Sequence, residues 1–232
     1  MSCSFRQGDC LENFKRLADN SADFIYFDPP FGITQCVWDD KLPWEKLFAE
    51  MFRVLKENGI LAIHCSVPFN YTLIRAAPKP PKYSWYWKKE NVTSPFLGGV
   101  QPMRNTEEIL IWYKKKHRYY GQRIGDKEHT YYKSGGHGNS TYHHKTSIPF
   151  KERKTTAKGF HYTHHLEFKR NVDGFSTRPN ELMELMYKSY CKAGDVVIDP
   201  TCHHGVSGVI AKKLGLHWIG FDKYFLPTKL LI

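Results

Sequence analysis

The stretch FIYFDPPFGI, residues 24–33, places a strand pattern directly before a carboxylate, two prolines and an aromatic ring. The four residues before Asp28 are bulky and apolar, which suits a buried strand of a pleated sheet. Pro29 and Pro30 cannot donate hydrogen bonds to a ladder, so the strand must end at this point. Most Asp-Pro pairs are ordinary surface turns. The rest of the chain decides whether Asp28 does more than end a strand.

Strand and helix patterns alternate along most of the chain, which predicts an α/β fold with a doubly wound, mostly parallel sheet. A helix beginning near Trp44 is expected to close at Gly59, the usual position of a C-cap glycine. Three further helices are predicted over residues 71–77, 182–190 and 207–214. The predicted strands are SFRQGDC (4–10), FIYFD (24–28), ILAIHC (60–65), YSWYWKK (83–89), EILIWYKK (108–115), VVIDP (196–200) and HWIGFD (217–222).

Length and composition indicate a globular protein with a real core. The chain has 232 residues, of which 41% are hydrophobic and 15% aromatic. No apolar run approaches the ~18 residues of a membrane span, and residues 1–20 lack the apolar core of a signal peptide. The six cysteines form no C-x-x-C pair. We therefore expect free thiols in a reducing cytoplasm, and no membrane partner.

The net charge of +11 is concentrated in one segment, residues 114–170, which carries fourteen Lys or Arg against four Asp or Glu. The same segment contains eight of the twelve histidines, and its stretch YYKSGGHGNSTYHHK (131–145) mixes cations with aromatic and small residues. Cations bind phosphates, and aromatic rings stack on bases. This pattern favours nucleic acid binding over a plain solvated loop. Because the segment shows no sustained period, we expect it to be an insertion that extends from the sheet.

Four predicted strands end in an acid: Asp9, Asp28, Asp199 and Asp222. In open α/β sheets, ligands bind outside the carboxyl ends of the parallel strands. One acid at a strand end is ordinary, but four in one small sheet predict a ligand site at that edge. Asp222 follows Asp199 at about the distance that separates a nucleotide-binding turn from a ribose-binding acid.

Two blocks of the sequence resemble the amino-group DNA methyltransferases, which methylate adenine N6 or cytosine N4 with S-adenosylmethionine. DPPFG (28–32) is similar to the catalytic motif D-P-P-[YF] of this family, and residues 8–33 resemble its opening block. FSTRPN…VVIDPTCHHG…HWIGFD (175–222) resembles its closing block, H-P-T-Q-K-P…D-P-F-x-G-S-G-T…I-G-x-E. The order of the two blocks is that of the β class. The likeness covers roughly residues 4–114 and 166–225.

The resemblance implies a Rossmann-like methyltransferase fold with permuted motif order. Residues 1–113 would form the catalytic half of the core, and residues 171–232 the cofactor-binding half. Residues 114–170, where the likeness fades, would be the target-recognition insertion. The implied reaction is methylation of the amino group of a flipped base by S-adenosylmethionine. Adenine N6 is favoured because the family tends to pair D-P-P with adenine and S-P-P with cytosine, and cytosine N4 stays as the alternative.

The resemblance gives residues 28–31 the catalytic roles. The amino nitrogen of adenine is a poor nucleophile, because its lone pair is conjugated with the ring. The Asp28 carboxylate and the Pro29 carbonyl would accept hydrogen bonds from its two N–H groups and direct the lone pair at the methyl group. Pro30 would keep the turn rigid, and Phe31 would stack on the flipped base.

The cofactor would be bound by the remaining strand-end turns. By the resemblance, Asp9 would lie near the adenine of S-adenosylmethionine, Thr177 and the 199–205 turn near its methionine part, and Asp222 near its ribose. His203 and His204 stand where the family has Gly-Ser, and a histidine adopts positive φ only at a cost. A catalytically silent DNA-binding relative is therefore the rival interpretation. The full set of predicted cofactor residues is Asp9, Cys10, Thr177, Asp199, Pro200, Thr201, His203, His204, Gly205 and Asp222.

The partner implied is double-stranded DNA, with a second copy of the chain and a restriction endonuclease as further candidates. An RNA or protein amino group is a weaker alternative acceptor. Histidines in HYTHH (161–165) and YHH (142–144) could suggest zinc, but no cysteine lies near them, so we expect no metal site. The predicted DNA-binding residues are Lys114, Lys115, Lys116, Arg118, Lys151, Arg153, Lys154 and Lys158.

Overall fold

A computed structural model describes residues 2–32, 34–93, 98–133, 153–169 and 178–227. It contains ten strands and five helices in these ranges. In chain order the elements are β1 (Cys3–Gln7), α1 (Cys10–Lys15), β2 (Ala22–Phe27), α2 (Trp44–Val54), β3 (Leu55–Cys65), α3 (Phe69–Ala76), β4 (Tyr83–Thr93), β5 (Arg104–Tyr113), β6 (Arg123–Lys133), β7 (Arg153–His161), β8 (His165–Glu167), α4 (Asn180–Tyr190), β9 (Val196–Asp199), α5 (Val206–Lys213) and β10 (His217–Asp222).

Eight strands form one sheet in the order β1-β10-β9-β2-β3-β5-β4-β8. β5 runs antiparallel to both of its neighbours, and the other strands of this sheet share one direction. The prediction of a mostly parallel sheet is therefore confirmed. β2 lies at its centre, between β9 and β3, and all six of its residues are buried.

The two faces of β2 pack against different helices, because successive side chains of a strand point to opposite sides. Ile25 and Phe27 belong to the apolar cluster that includes residues of α1, α2 and α3. Phe24 and Tyr26 pack on the other face, where both rings lie 5.8 Å from the ring of Tyr187 in α4. Burying each such side chain contributes roughly 1.5–3 kcal/mol. Helices on both faces make the sheet doubly wound.

The helix that begins at Trp44 ends at Val54, so the expected C-cap at Gly59 is wrong. The chain enters β3 at Leu55, and Gly59 lies inside that strand next to an irregularity in its pairing with β2. A Cβ atom at Gly59 would lie 2.8 Å from the Leu55 side chain and 3.0 Å from the Ala22 carbonyl oxygen. The glycine therefore permits a close approach of two strands.

The chain divides into two compact units, residues 1–120 with 163–232, and residues 121–162. Inside the second unit, β6 and β7 form an antiparallel pair. These strands lack the apolar alternation by which strands are found in sequence, because a two-stranded ribbon has little core to bury. β8 also comes from the segment expected to be an insertion, but it pairs with β4 in the large sheet. None of the helices in the described part of the chain has the length and apolarity to cross a membrane.

Candidate active site

The carboxyl ends of β1, β2, β9 and β10 surround one cavity of about 430 Å³. These strands are parallel, so the residues that follow them meet at the same edge of the sheet. The cavity lies entirely within the larger unit. Among the residues predicted for the site, those that line it are Asp9, Cys10, Asp28, Pro29, Pro30, Phe31, Asp199, Pro200, Thr201, His203, His204 and Asp222. Gly205 begins the neighbouring helix α5, and Thr177 lies outside the described residues.

The Asp28 turn is fixed by contacts on two sides. The Thr201 hydroxyl donates a 2.8 Å hydrogen bond to the Asp28 carbonyl oxygen, which joins this turn to the one that follows β9. Phe31 stacks on Phe69 of α3, with ring centroids 4.8 Å apart and an angle of 21° between the rings. The turn is therefore held in place before any ligand binds.

The Asp28 carboxylate is paired with a residue that the sequence analysis did not single out, Arg178. The guanidinium Nη2 lies 2.6 Å from Asp28 Oδ1 and 2.7 Å from Oε1 of Glu107 in β5. Glu107 in turn contacts His64 Nδ1 at 3.0 Å and Lys89 Nζ at 2.7 Å. One signal was available in the sequence, since Glu107 lies two residues before Ile109 and therefore on the same face of the strand as the buried Ile109 and Ile111. A buried charge of this kind needs a partner.

The same network contains three side chains of the types that can ligate a metal ion. Ligand atoms of Asp28, His64 and Glu107 all lie within 4.8 Å of one another. The Arg178 guanidinium is ion-paired with both carboxylates and supplies the positive charge there. Burial by itself would raise the pKa of Glu107, but Arg178, His64 and Lys89 outweigh burial and hold that pKa well below its ordinary value.

Asp199 is in a different environment, buried and surrounded by other acids. Its Oδ1 accepts a 3.2 Å hydrogen bond from the Thr201 amide, and its Oδ2 accepts one from the Ser207 hydroxyl. Burial raises the pKa of Asp199 to about 7, and the charges of Asp28 and Asp222 act in the same direction. Asp199 therefore changes its charge near neutral pH.

The turn after Asp199 contains the histidines that depart from the resemblance. His203 adopts φ +48°, in the left-handed region, and Gly205 follows at φ +78° as the N-cap of α5. The conformation of His203 costs on the order of 1 kcal/mol. The Asp222 carboxylate offsets this by accepting a 2.8 Å hydrogen bond from the His203 amide. Phe225 packs against the histidine ring, with centroids 4.0 Å apart.

Asp9 and Asp222 both hold backbone at the edge of the cavity. Asp9 is the N-cap of α1, and its Oδ1 accepts hydrogen bonds from the amides of Leu11 and Glu12. This short helix was not among the helices predicted from the sequence. Asp222 Oδ1 accepts from the amides of Tyr224 and Phe225, each at 2.9 Å. In addition to any ligand contact, these two acids shape the loops that line the cavity.

The cavity is acidic although the protein is strongly basic. Its charged lining consists of six aspartates and two basic residues: Asp9, Asp28, Asp39, Asp40, Asp199, Asp222, Arg178 and Lys223. At its rim, Asp40 joins residues 34–42 to the loop after β10 through Lys223 Nζ at 2.9 Å and the Tyr224 hydroxyl at 2.6 Å. A cavity of this composition favours a ligand that carries positive charge.

The predicted DNA-binding residues lie in two places. Lys114, Lys115, Lys116 and Arg118 follow β5, whose last residue pairs with Ile60 near the start of the parallel run. Lys115 Nζ lies 2.8 Å from Glu57 and Arg118 Nη2 lies 3.4 Å from Asp23. This edge of the sheet is opposite the cavity, so contact of these four residues with DNA stays a prediction that the cavity does not support.

The other predicted DNA-binding residues belong to the second unit. Lys158 is exposed on β7. Arg153 and Lys154 lie on the same strand, where only their backbone is described, and Lys151 lies outside the described residues.

Comparison with known proteins identifies a family with this architecture. A family model described as DNA methylase matches residues 22–225. Type II methyltransferase M.BamHI of Bacillus amyloliquefaciens is 24% identical over 226 residues, which cover 93% of this chain and 53% of that protein. Type II methyltransferase M.HinfI of Haemophilus influenzae is 24% identical over 253 residues, which cover 94% of this chain and 64% of that protein. The chain thus spans between half and two thirds of the length of these relatives.

Solved structures have the same fold. The M1.HpyAVI–SAM complex superposes with a TM-score of 0.62 and 20% identity, covering 95% of this chain and 92% of that one. PvuII DNA methyltransferase (cytosine-N4-specific) gives a TM-score of 0.65 with 15% identity, covering 96% of this chain and 82% of that one. The Rossmann-like methyltransferase fold expected from the sequence is thereby confirmed.

Proposed function

The chain belongs to the DNA methylase family, and on that premise we propose that it transfers a methyl group from S-adenosylmethionine to an amino group of a base in double-stranded DNA. The observation that carries this proposal is the position of two turns in one cavity. The Asp28 turn offers acceptors for an amino group, and the Asp199 turn lies beside it. The Thr201 hydroxyl connects the two turns through the Asp28 carbonyl oxygen at 2.8 Å.

The residues present suit S-adenosylmethionine. The cavity of about 430 Å³ is within the range of roughly 300–1,000 Å³ that holds small ligands. Its acidic lining matches a ligand that carries a sulfonium and an ammonium group. Asp199, His203 and Asp222 would hold this molecule. When bound, it supplies an activated methyl group. The solved M1.HpyAVI complex, whose name includes SAM, supports this assignment.

The catalytic roles follow from the chemistry of the Asp28 turn. The Asp28 carboxylate and the Pro29 carbonyl accept hydrogen bonds from the two N–H groups of the amino group. The nitrogen lone pair is then free to attack the methyl group. As the nitrogen bonds to the methyl group it gains positive charge, which the Asp28 carboxylate stabilises until one amino proton is released to solvent. Phe31, held by Phe69, presents a ring on which a flipped base stacks.

Adenine N6 is the acceptor that we propose, because the motif carries Asp28 where the family tends to have serine for cytosine. Cytosine N4 is the second candidate. The superposition with an enzyme named as cytosine-N4-specific, at a TM-score of 0.65, favours it. Both bases present an amino group that two acceptors can align, so the geometry of the Asp28 turn suits either.

The second unit is the surface that we propose for DNA. Residues 121–162 contain eight Lys or Arg against three acids, and Lys158 is exposed on β7. Excess positive charge binds the phosphate backbone without regard to sequence.

The names of the type II relatives support a role in restriction–modification, and the six free cysteines support a cytoplasmic location.

Product analysis tests the proposal. Duplex DNA is incubated with the protein and isotopically labelled S-adenosylmethionine, digested to nucleosides and analysed by mass spectrometry. We expect label in N6-methyldeoxyadenosine, whereas label in N4-methyldeoxycytidine would select the second candidate. The Asp28→Ala variant serves as the blank. Absence of labelled nucleoside on diverse duplex DNA, together with retained DNA binding and no binding of S-adenosylmethionine in a titration, would identify a silent relative instead.

A further inference from the structure

We propose that Arg178 is a positioning residue that fixes the Asp28 carboxylate for the reaction. The inference rests on the function proposed above. One guanidinium nitrogen, Nη2, lies 2.6 Å from Asp28 Oδ1 and 2.7 Å from Glu107 Oε1. Charge-assisted hydrogen bonds of this length are the strong ones. Arg178 therefore connects an acid in the cavity to an acid buried behind it.

The sheet explains why these groups meet. Side chains two residues apart on a strand share a face, so Tyr26 and Asp28 project to the same side of β2 and its extension. His64 pairs with Ile109 in β5, which puts Glu107 on the same face as the histidine. Arg178 directly precedes Pro179, the N-cap of α4, and α4 packs on that face. The guanidinium thus enters the sheet face from the helix layer.

Glu107 anchors the arginine from behind. It is 2% exposed and contacts His64 Nδ1 and Lys89 Nζ in addition to Arg178. His64 is fully buried, and its Nε2 lies 2.6 Å from the Tyr26 hydroxyl. Burial raises the pKa of Tyr26 well above its ordinary value, so the hydroxyl keeps its proton and donates a hydrogen bond to His64 Nε2. His64 Nδ1–H is then available to donate to Glu107.

The charges in this chain of contacts balance. Arg178 and Lys89 are positive, and Asp28 and Glu107 are negative. Removing one partner from such a buried set leaves an uncompensated charge, so the arrangement strongly prefers one geometry. With one oxygen occupied by Arg178, Asp28 is held in a single orientation toward the cavity. Misplacement of a reacting group by ~1 Å can cost ~100-fold in rate, which is the scale of the expected effect.

The test compares two variants that remove different partners of Glu107. Arg178→Met removes the link to Asp28, while Lys89→Met removes a cation that contacts the other Glu107 oxygen at 2.7 Å. Both variants should lower the melting temperature. Arg178→Met should lower kcat ~100-fold while KM for DNA and Kd for S-adenosylmethionine stay near wild-type values. Lys89→Met leaves the Arg178–Asp28 contact in place and should lower kcat much less than Arg178→Met does, and Arg178→Lys should recover part of the lost rate.

Two outcomes would overturn the proposal. One is an equal loss of kcat in Arg178→Met and Lys89→Met, which would mean that kcat follows stability. The other is a change confined to KM or Kd in Arg178→Met, which would make Arg178 a ligand contact.

Crystal structures of the two variants give a readout that needs no activity. The Asp28 carboxylate should leave its wild-type position in Arg178→Met and keep it in Lys89→Met. An unmoved Asp28 in Arg178→Met would refute the positioning role even if wild-type methylation is observed. A displaced Asp28, together with a wild-type protein that methylates no DNA, would refute the proposed function and leave the positioning role intact.

Discussion

The Asp28 turn and the Asp199 turn begin with the same dipeptide, Asp-Pro, at the ends of neighbouring parallel strands, yet their carboxylates are in opposite environments. The Asp28 side chain is 31% exposed and paired with Arg178. Asp199 is 6% exposed, receives a hydrogen bond from Ser207 and has acids as its charged neighbours. A cation stabilises the first carboxylate, while burial keeps the second partly protonated at neutral pH.

The difference shows that the neighbours of an Asp-Pro turn, rather than the dipeptide, decide what its carboxylate can do. Asp28 is a fixed acceptor open to the cavity, which suits a group that aligns a substrate. Asp199 titrates near pH 7 and lies deeper, which suits a group that responds to the charge of a bound ligand. We therefore expect substitutions in the two turns to affect different steps, turnover in the first and donor binding in the second.

The largest expected effect is that of Asp28→Ala on turnover. Loss of the acceptor should lower kcat at least ~100-fold, because an electrostatic contact to the developing charge is removed. The affinities for DNA and for S-adenosylmethionine should change little, and both can be measured by calorimetry. Asp199→Asn is the matched control, since its main effect should be on donor affinity. More than a few per cent of the wild-type rate in Asp28→Ala would mean that the acceptor is another residue.

The second effect concerns the pH dependence of donor binding. Because the pKa of Asp199 is raised to about 7, the carboxyl is mostly neutral at pH 6 and mostly ionised at pH 8. A cationic ligand favours the ionised form, so the affinity for S-adenosylmethionine should rise with pH. A fall of this pKa by one unit on binding corresponds to about a fivefold change in Kd between pH 6 and pH 8.

Two controls isolate Asp199 in that titration. S-adenosylhomocysteine lacks the sulfonium charge and should show a smaller dependence on pH. Asp199→Asn should show none from this group. Equal pH dependence in the wild type and Asp199→Asn would contradict the role given to the buried turn.

The smallest expected effect is that of His203→Gly. Histidine is strained at the φ of +48° that residue 203 adopts, whereas glycine adopts such an angle without strain. If the turn contacts the donor through its backbone, relief of strain should change the free energy of unfolding by ~1 kcal/mol or less and leave the donor affinity and pose unchanged. Weaker donor binding in the same variant would show instead that the imidazole contacts the ligand. His204→Ser is the neighbouring control.

The sequence was sufficient to predict that these acids lie at one edge of the sheet, because the alternation of strands and helices predicts parallel strands. Asp28, Asp199 and Asp222 each come directly after an apolar run, and parallel strands present their carboxyl ends at one edge. The pairing of Arg178 with Glu107 was not accessible in this way. These residues lie far apart in the chain, and the packing of α4 on the sheet brings them together.

Local signals failed where tertiary contacts decide the structure. Gly59 is a plausible helix cap by sequence, but it lies inside β3, where the lack of a side chain permits the close approach to β2. The α1 helix is too short to show a period, although Asp9 is a typical N-cap residue. Strands β6 and β7 were missed because their residues do not alternate between apolar and polar, as expected of a two-stranded pair that buries little core.

The most direct test of the central claim, that the two Asp-Pro turns form one site, is a crystal structure of the protein with S-adenosylmethionine. The account predicts the donor within the cavity, held by the Asp199 turn and with its methyl group directed at the space beside Asp28. Both turns should keep their positions, with the Thr201 hydroxyl still bonded to the Asp28 carbonyl oxygen. A donor bound elsewhere, or with its methyl group directed away from Asp28, would contradict the account.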